Sequence, residues 1–282
     1  MLSHRIRRFL HVQQMLSGLA GLGFGLLLSV FANWLSEKWI WLLPWVAGIA
    51  VLAGLIGFFL SLRKPPGIDV AIQSPLTIRS PQEAKKYARR GFVGFVPLYT
   101  PRRGTEAEKL TPEERLRAAK ALDFDRLQVK ESNLWPTIQA ILAHSSRLEH
   151  CWLLATRGQE VTGSLPYARV LAEYLRRREG VNCKFHYGGE YTIPLDDDAL
   201  VLGKTFREVQ RVFQEAARLG IPPPEMIADI TTGVRSMTLG MVLACLHGDQ
   251  DIEFIGTHYD ETGRPVGELF PLIFSFEPVL RG

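Results

Sequence analysis

Polar and apolar positions divide the chain near residue 64. Residues 9–62 form two uncharged apolar runs, Phe9–Ser36 and Trp39–Leu62, broken only by Glu37 and Lys38, with His11 the sole other titratable side chain. Each run is long enough for an apolar helix to cross a bilayer. A cleaved leader would have a shorter core followed by a small-residue cleavage site, whereas here a second full run follows at once. The pattern predicts a transmembrane helical hairpin over residues 1–64, with spans at about 12–35 and 39–62. Arg5, Arg7 and Arg8 precede it and Arg63 and Lys64 follow it. By the positive-inside bias, both termini and everything beyond residue 64 are expected in the cytoplasm. Trp34, Trp39, Trp41 and Trp45 gather near the short outer turn, either among headgroups or in a helix seam. Gly21, Gly25 and Ser29, facing Ala50, Ala53, Gly54 and Gly57, would let helices approach closely.

Beyond the runs the period changes. Pro65, Pro66 and Gly67 open a connector, residues 65–130, of mixed α/β elements. Gly91–Tyr99 reads as an apolar strand, Pro101–Gly104 as a turn, and Thr111 with Glu114 as a capping box opening a helix through Ala121. Leu134–His144 is an apolar-faced helix, after which strands and helices alternate. Strands are expected at Cys151–Ala155, Lys184–Tyr187, Met226–Ile230, Ile252–Gly256 and Leu269–Phe276. Helices are expected at Ser164–Arg178, Thr205–Leu219 and Arg235–Leu246, the last apolar on nearly every side and so expected to be buried. This alternation predicts an α/β domain over 131–282, a mostly parallel sheet covered on both faces.

The net charge of +4 adds little by itself, but its clusters, Arg63–Lys64, Lys85–Lys86, Arg89–Arg90 and Arg102–Arg103, lie nearest the apolar runs. That placement suits anionic headgroups better than a long nucleic acid. Cys151, Cys183 and Cys245 lack metal-ligand spacing and read as small core residues in a reducing compartment; no metal or other cofactor is expected.

Open α/β sheets bind ligands at the carboxyl ends of their strands, and two loops there carry polar chemistry. The first, after Cys151–Ala155, offers Thr156, Arg157, Gly158, Gln159 and Ser164 ahead of a helix: glycine N–H groups, hydroxyls and one cation that could cradle phosphate. It is neither a Walker loop nor a dinucleotide fingerprint, and a plain polar turn explains it equally well. The second, after Met226–Ile230, holds Asp229, Thr231, Thr232, Gly233, Arg235 and Ser236. Arg235 would complement phosphate charge, and Asp229 would orient the turn or accept from a ribose hydroxyl. The alternative is that Thr231 caps the helix and Asp229 braces the loop, without a ligand.

Asp229–Met237, Asp-Ile-Thr-Thr-Gly-Val-Arg-Ser-Met, resembles the Asp-x-Thr-Gly-Gly-Thr-Lys-x-Met signature of CRISPR-associated Rossmann-fold (CARF) sensor domains. The Asn133–Ile141 helix and the Cys151–Thr156 strand are similar to the start of such domains, so the resemblance covers about residues 130–282. Thr232 stands in place of the first glycine and Arg235 in place of the lysine. The resemblance implies a Rossmann-like, dimeric sensor of a cyclic oligoadenylate, typically the tetra-adenylate, with Thr156, Arg157, Gly158, Gln159 and Ser164 on one side of the phosphates, Thr231, Thr232, Gly233, Arg235 and Ser236 on the other, and Asp229 in the same ligand site. Joined to the apolar runs, it implies a type III CRISPR antiviral effector in a prokaryotic inner membrane that gates or perturbs the bilayer as an ion channel, a homo-oligomer built as a sensor dimer, a tetramer or a larger array. The rivals are a membrane-tethered ring nuclease and a passive anchor recruiting partners. No catalytic residue is assigned: hydrolase motifs are absent, His186, His247 and His258 are dispersed, and Glu190 with Asp196–Asp198 reads as a solvated acidic turn.

Overall fold

The computed structural model describes residues 86–158, 163–195, 197–248, 250–262 and 265–280, with shorter stretches at 45, 48–49, 51–54, 68–72, 76–77 and 83. Two compact units are distinguished, Met1–Asp69 with Pro278–Gly282, and Val70–Glu277.

The strands in chain order are β1 (Ile68–Ile72), β2 (Leu76–Thr77), β3 (Gly91–Phe95), β4 (His150–Arg157), β5 (Lys184–His186), β6 (Thr192–Pro194), β7 (Met226–Asp229), β8 (Asp251–Tyr259), β9 (Pro265–Phe274) and β10 (Phe276–Leu280). The described α-helices are α1 (Pro112–Ala121), α2 (Phe124–Leu127), α3 (Trp135–His144), α4 (Leu165–Arg178), α5 (Asp198–Arg218) and α6 (Arg235–Gly248). The main sheet runs β2-β9-β8-β7-β3-β4-β5, with β6 taking over from β5 along the carboxyl half of β4. The pairs β7–β8, β3–β7, β3–β4, β4–β5 and β4–β6 are parallel, whereas β8–β9 and β2–β9 are antiparallel. The expected mostly parallel sheet is thus corrected to a mixed one. The long β8–β9 hairpin supplies the antiparallel edge, because Thr262 and Asp260 close a tight polar turn there through their own hydrogen bonds.

Alternation along the strands sorts the core. Phe92, Cys151, Leu153, Ala155 and Ile227 face α1–α4, while Val93, Phe95, Trp152, Leu154, Met226 and Ala228 face α5 and α6. β3 is buried at every position, as a central strand with helices on both sides must be. Local chemistry sets the helix starts: at α1 the Thr111 hydroxyl accepts from the Glu114 N–H and the Glu114 carboxylate accepts from the Thr111 N–H. α5 and α6 pack closely because a Cβ on Gly240 would lie 2.7 Å from the Leu202 carbonyl oxygen. α6 is nonetheless not enclosed as expected: Leu239, Leu243 and Leu246 are 37–48% exposed along one side.

The transmembrane hairpin is overturned as an expectation. No helix among the described residues is long and apolar enough to cross a membrane. The hairpin's residues lie outside the described ones except at 45, 48–49 and 51–54. What the chain supports is an α/β domain with a mixed sheet, and inner-membrane localisation and a lipid-bilayer partner go with the hairpin.

Candidate ligand site at the carboxyl ends of the central strands

The chain winds outward from β3 in both directions. It passes from β3 to β4 and β5, then returns to the other side of β3 for β7 and β8. The loops leaving β3 and β7 therefore depart toward opposite faces, one to α1–α3 and the other to α6. Such a switch point opens a crevice at the strands' carboxyl ends. β3 ends there at Phe95 and β7 at Asp229.

The β7 loop is built around Asp229, which is fully buried. One of its oxygens accepts both the N–H and the hydroxyl of Thr231, and the Thr231 hydroxyl in turn accepts from the Ile255 N–H on β8 at 2.9 Å. Thr232 donates its hydroxyl to the Phe95 carbonyl at 2.9 Å, tying the loop to β3. Gly233 follows at φ +108°, where a Cβ would sit 2.8 Å from the Phe95 ring. This position requires glycine twice over, for its left-handed backbone and for its close approach. α6 begins immediately afterwards, with Arg235 exposed and in no ion pair with a described residue. Ser236, half-buried, is the next residue of the helix.

The β4 loop is closed at its base. Ser164 donates its N–H to the Thr156 hydroxyl at 3.0 Å, its hydroxyl accepts from the Thr156 N–H at 2.8 Å, and the two hydroxyls lie 3.1 Å apart. Gly158 and Gly163 meet across the neck, where a Cβ on Gly163 would lie 2.9 Å from the Gly158 nitrogen. Arg157 turns away toward β6, donating to the Gly189 carbonyl and the Thr192 hydroxyl. Gln159 lies outside the described residues. The structure thus places Asp229, Thr231, Thr232, Gly233, Arg235 and Ser236 on one loop and Thr156, Arg157, Gly158 and Ser164 on another, both at the same edge of the sheet. It also commits four of the expected hydroxyls, those of Thr156, Ser164, Thr231 and Thr232, to bracing those loops. Gly233, Val234 and Arg235 are the exposed residues of this segment, and Arg235 is the one among them that carries charge.

Sequence reasoning missed the buried acid cluster beneath the crevice. Asp229 on β7 and Glu253 on β8 are register neighbours in a parallel pair, and both are fully buried. Glu253 faces His144 of α3 across 2.9 Å, and the His144 Nδ1 accepts the Arg89 N–H at 3.0 Å, so its Nε2 carries the hydrogen toward Glu253. The second oxygen of each carboxyl, Asp229 Oδ2 and Glu253 Oε1, has no hydrogen-bond partner among the described residues. Burial, with the Glu253 charge beside it, pushes the Asp229 carboxyl up to about 8 against the opposing Thr231 hydrogen bonds. A neutral acid at this position explains how two carboxyls share a dry site. Alternation places Glu253 on the buried face of β8, but no local motif reveals that its neighbour is a second acid.

At the opposite end of β4, His150 and His186 share a 2.8 Å hydrogen bond, and His186 reaches Glu215 of α5 at 3.4 Å. Burial lowers both imidazoles, His186 to about 4, while Glu215 opposes the shift. These are packed, uncharged rings against Trp152, and no group of three or more His, Cys, Asp or Glu among the described residues is arranged to hold a metal.

Fold and site together define an open, doubly wound α/β domain with a polar crevice at its switch point. No family model matches the chain, and no curated protein matches it. The resemblance to CARF sensors is therefore corrected: nothing specific to cyclic oligoadenylate sensing, ring cleavage, CRISPR signalling, membrane gating or a sensor oligomer is supported. Its most specific part was one nine-residue loop, which departs from the signature at Thr232, Val234 and Arg235, and the structure uses the hydroxyls of Thr231 and Thr232 as internal braces.

Proposed function

We propose that the domain binds a phosphate-bearing small molecule in the crevice between the loops that leave β3, β4 and β7. The observation that carries this reading is the exposed Arg235 at the start of α6, directly after a glycine held at φ +108° against Phe95. A rigid, strained turn that delivers a free cation and a helix N-terminus to the switch point suits an anion. The fully buried Asp229, with one oxygen unpartnered among the described residues, fixes that turn from below.

Calorimetric titration of the purified chain with inorganic phosphate, pyrophosphate and a set of phosphomonoesters tests it. At least one should bind saturably, and Arg235→Ala should weaken binding about tenfold or more, the loss expected of one charge-assisted hydrogen bond. Circular dichroism should show the variant folded, since the side chain is exposed. Equal affinity in a folded Arg235→Ala variant removes Arg235 from the site; no binding by any of the probes removes the reading.

A further inference from the structure

A second cleft opens on the α1–α4 side of the sheet, between the segment leaving β3 and the first turns of α1 and α4. Its volume is about 240 Å³, and it is lined by Leu98, Tyr99, Thr100, Pro112, Arg115, Leu116 and Tyr167. No acidic side chain is among these residues. The Tyr99 and Tyr167 rings stack at 5.2 Å, and the Tyr99 hydroxyl donates to the Leu127 carbonyl, so that ring is fixed from behind. Tyr167 sits one turn into α4, its N–H bonded to the Ser164 carbonyl at 2.9 Å. Its ring is buried, but its hydroxyl has no hydrogen-bond partner among the described residues.

Arg115 supplies the charge. One terminal nitrogen donates to the Glu108 carbonyl at 2.9 Å, which anchors the guanidinium, yet its Nε is buried without any partner among the described residues. A buried N–H left unpaired is costly unless something else accepts from it. No described carboxylate pairs with this guanidinium either. The cleft is therefore lined by a guanidinium, whose Nε is buried without a partner among the described residues, and by a phenol ring with an unpartnered hydroxyl, between apolar walls of Leu98, Pro112 and Leu116. Burial raises the Tyr167 hydroxyl above its ordinary value, so it remains a donor across the neutral range.

We infer that this cleft binds a small organic carboxylate with a flat apolar body. The carboxylate takes the Arg115 guanidinium and the Tyr167 hydroxyl, and the body lies against Leu98, Pro112 and Leu116. The volume corresponds to roughly eight water molecules at about 30 Å³ each, enough to seat a ligand of about ten non-hydrogen atoms. The assignment is independent of phosphate binding in the crevice: its residues are different, and it calls for an apolar body that inorganic phosphate lacks.

The test uses the full chain with 13C-labelled tyrosine, titrated with acetate, benzoate, 4-hydroxybenzoate and inorganic phosphate up to millimolar concentration. Benzoate or 4-hydroxybenzoate should shift the Tyr99 and Tyr167 resonances saturably and more strongly than acetate. Tyr167→Phe, which keeps the ring stack, should weaken this binding about tenfold, while Arg235→Ala should leave it unchanged. The Tyr99 resonance and thermal unfolding report whether the variant keeps its fold. No saturable shift with any of the three carboxylates overturns the assignment, as does unchanged affinity in folded Tyr167→Phe. Phosphate that shifts the same resonances as strongly as benzoate overturns the organic class.

Discussion

Replacing Asp229 by asparagine should remove most of the stability loss that the parent chain shows as pH rises from about 6.5 to 8, above the range in which the buried imidazoles titrate. Asp229 is fully buried beside Glu253 from β8, and Glu253 in turn faces His144 from α3. Its carboxyl is pushed from an ordinary 3.8 up to about 8, so across that interval the folded chain holds a proton that the unfolded chain has released. Unfolding then releases a proton, and the unfolding free energy falls as pH rises. The stabilisation is complete below the unfolded value and is lost as pH climbs through the folded one. One proton corresponds to about 1.4 kcal/mol per pH unit well below the folded value and about half of that at it, hence roughly 2 kcal/mol between pH 6 and pH 8. That is a large share of a net stability of about 5–15 kcal/mol. Asparagine keeps an oxygen to accept from the Thr231 N–H and hydroxyl, and its amide N–H replaces the acid proton beside Glu253. Urea unfolding at fixed ionic strength, followed by circular dichroism at pH 5, 6, 7 and 8, measures the difference. Asp229→Asn should gain on the parent chain by about 1.4 kcal/mol for each unit of pH up to 7 and by about 1 kcal/mol over the last unit. Parallel curves refute the reasoning. So does a slope that survives in Asp229→Asn and disappears in Glu253→Gln, since it would place the proton on the other acid.

Two further outcomes rest on other parts of the fold. His186 is held at about 4 by burial, so its contribution is present above its ordinary value of 6.5 and is lost as pH falls through the folded value. His186→Phe, which keeps a ring against Trp152, should flatten the acid limb of stability between pH 6.5 and 4, and an unchanged limb in acid titration would show that His186 is not its source. Gly233→Ala should cost about 1–3 kcal/mol, because the backbone at φ +108° is strained for any Cβ and that Cβ would meet the Phe95 ring at 2.8 Å. Thermal unfolding reads this as a lower Tm, and an unchanged Tm would mean that the turn relaxes freely.

The elements were legible wherever a local signal fixed them. The Thr111 and Glu114 box marks the start of α1, and the apolar spacing of Leu165, Ala168, Leu171 and Leu175 marks the buried face of α4. What periodicity could not give was strand order. Gly91–Phe95 reads equally well as a stray apolar strand in a connector or as the centre of a sheet. Only its parallel pairing with both β4 and β7 makes it the strand from which the chain winds both ways. The crevice depends on that pairing, so the sequence pointed to the β7 loop and passed over the segment after β3. The antiparallel edge was hidden for a related reason: an apolar run such as Leu269–Phe274 carries no mark of direction, and the turn at Asp260–Thr262 decides it.

The composition of a loop does not say whether its polar atoms serve a ligand or the fold. Thr156, Ser164, Thr231 and Thr232 have the residue types of a phosphate cradle, yet each places its hydroxyl within a hydrogen-bonded brace. A buried loop neck leaves backbone N–H groups that must find acceptors, and short hydroxyl side chains meet that need as readily as they meet a phosphate. Charge separates the two uses better than hydroxyl count. A cation that braces a loop is drawn into local hydrogen bonds, as Arg157 is by Gly189 and Thr192. Arg235 is left exposed beside a turn that only glycine can make, and Arg115 is anchored through one nitrogen with its Nε buried and unpartnered among the described residues. By that criterion the two arginines, rather than the threonine-rich signature that first draws the eye, carry the two proposed sites.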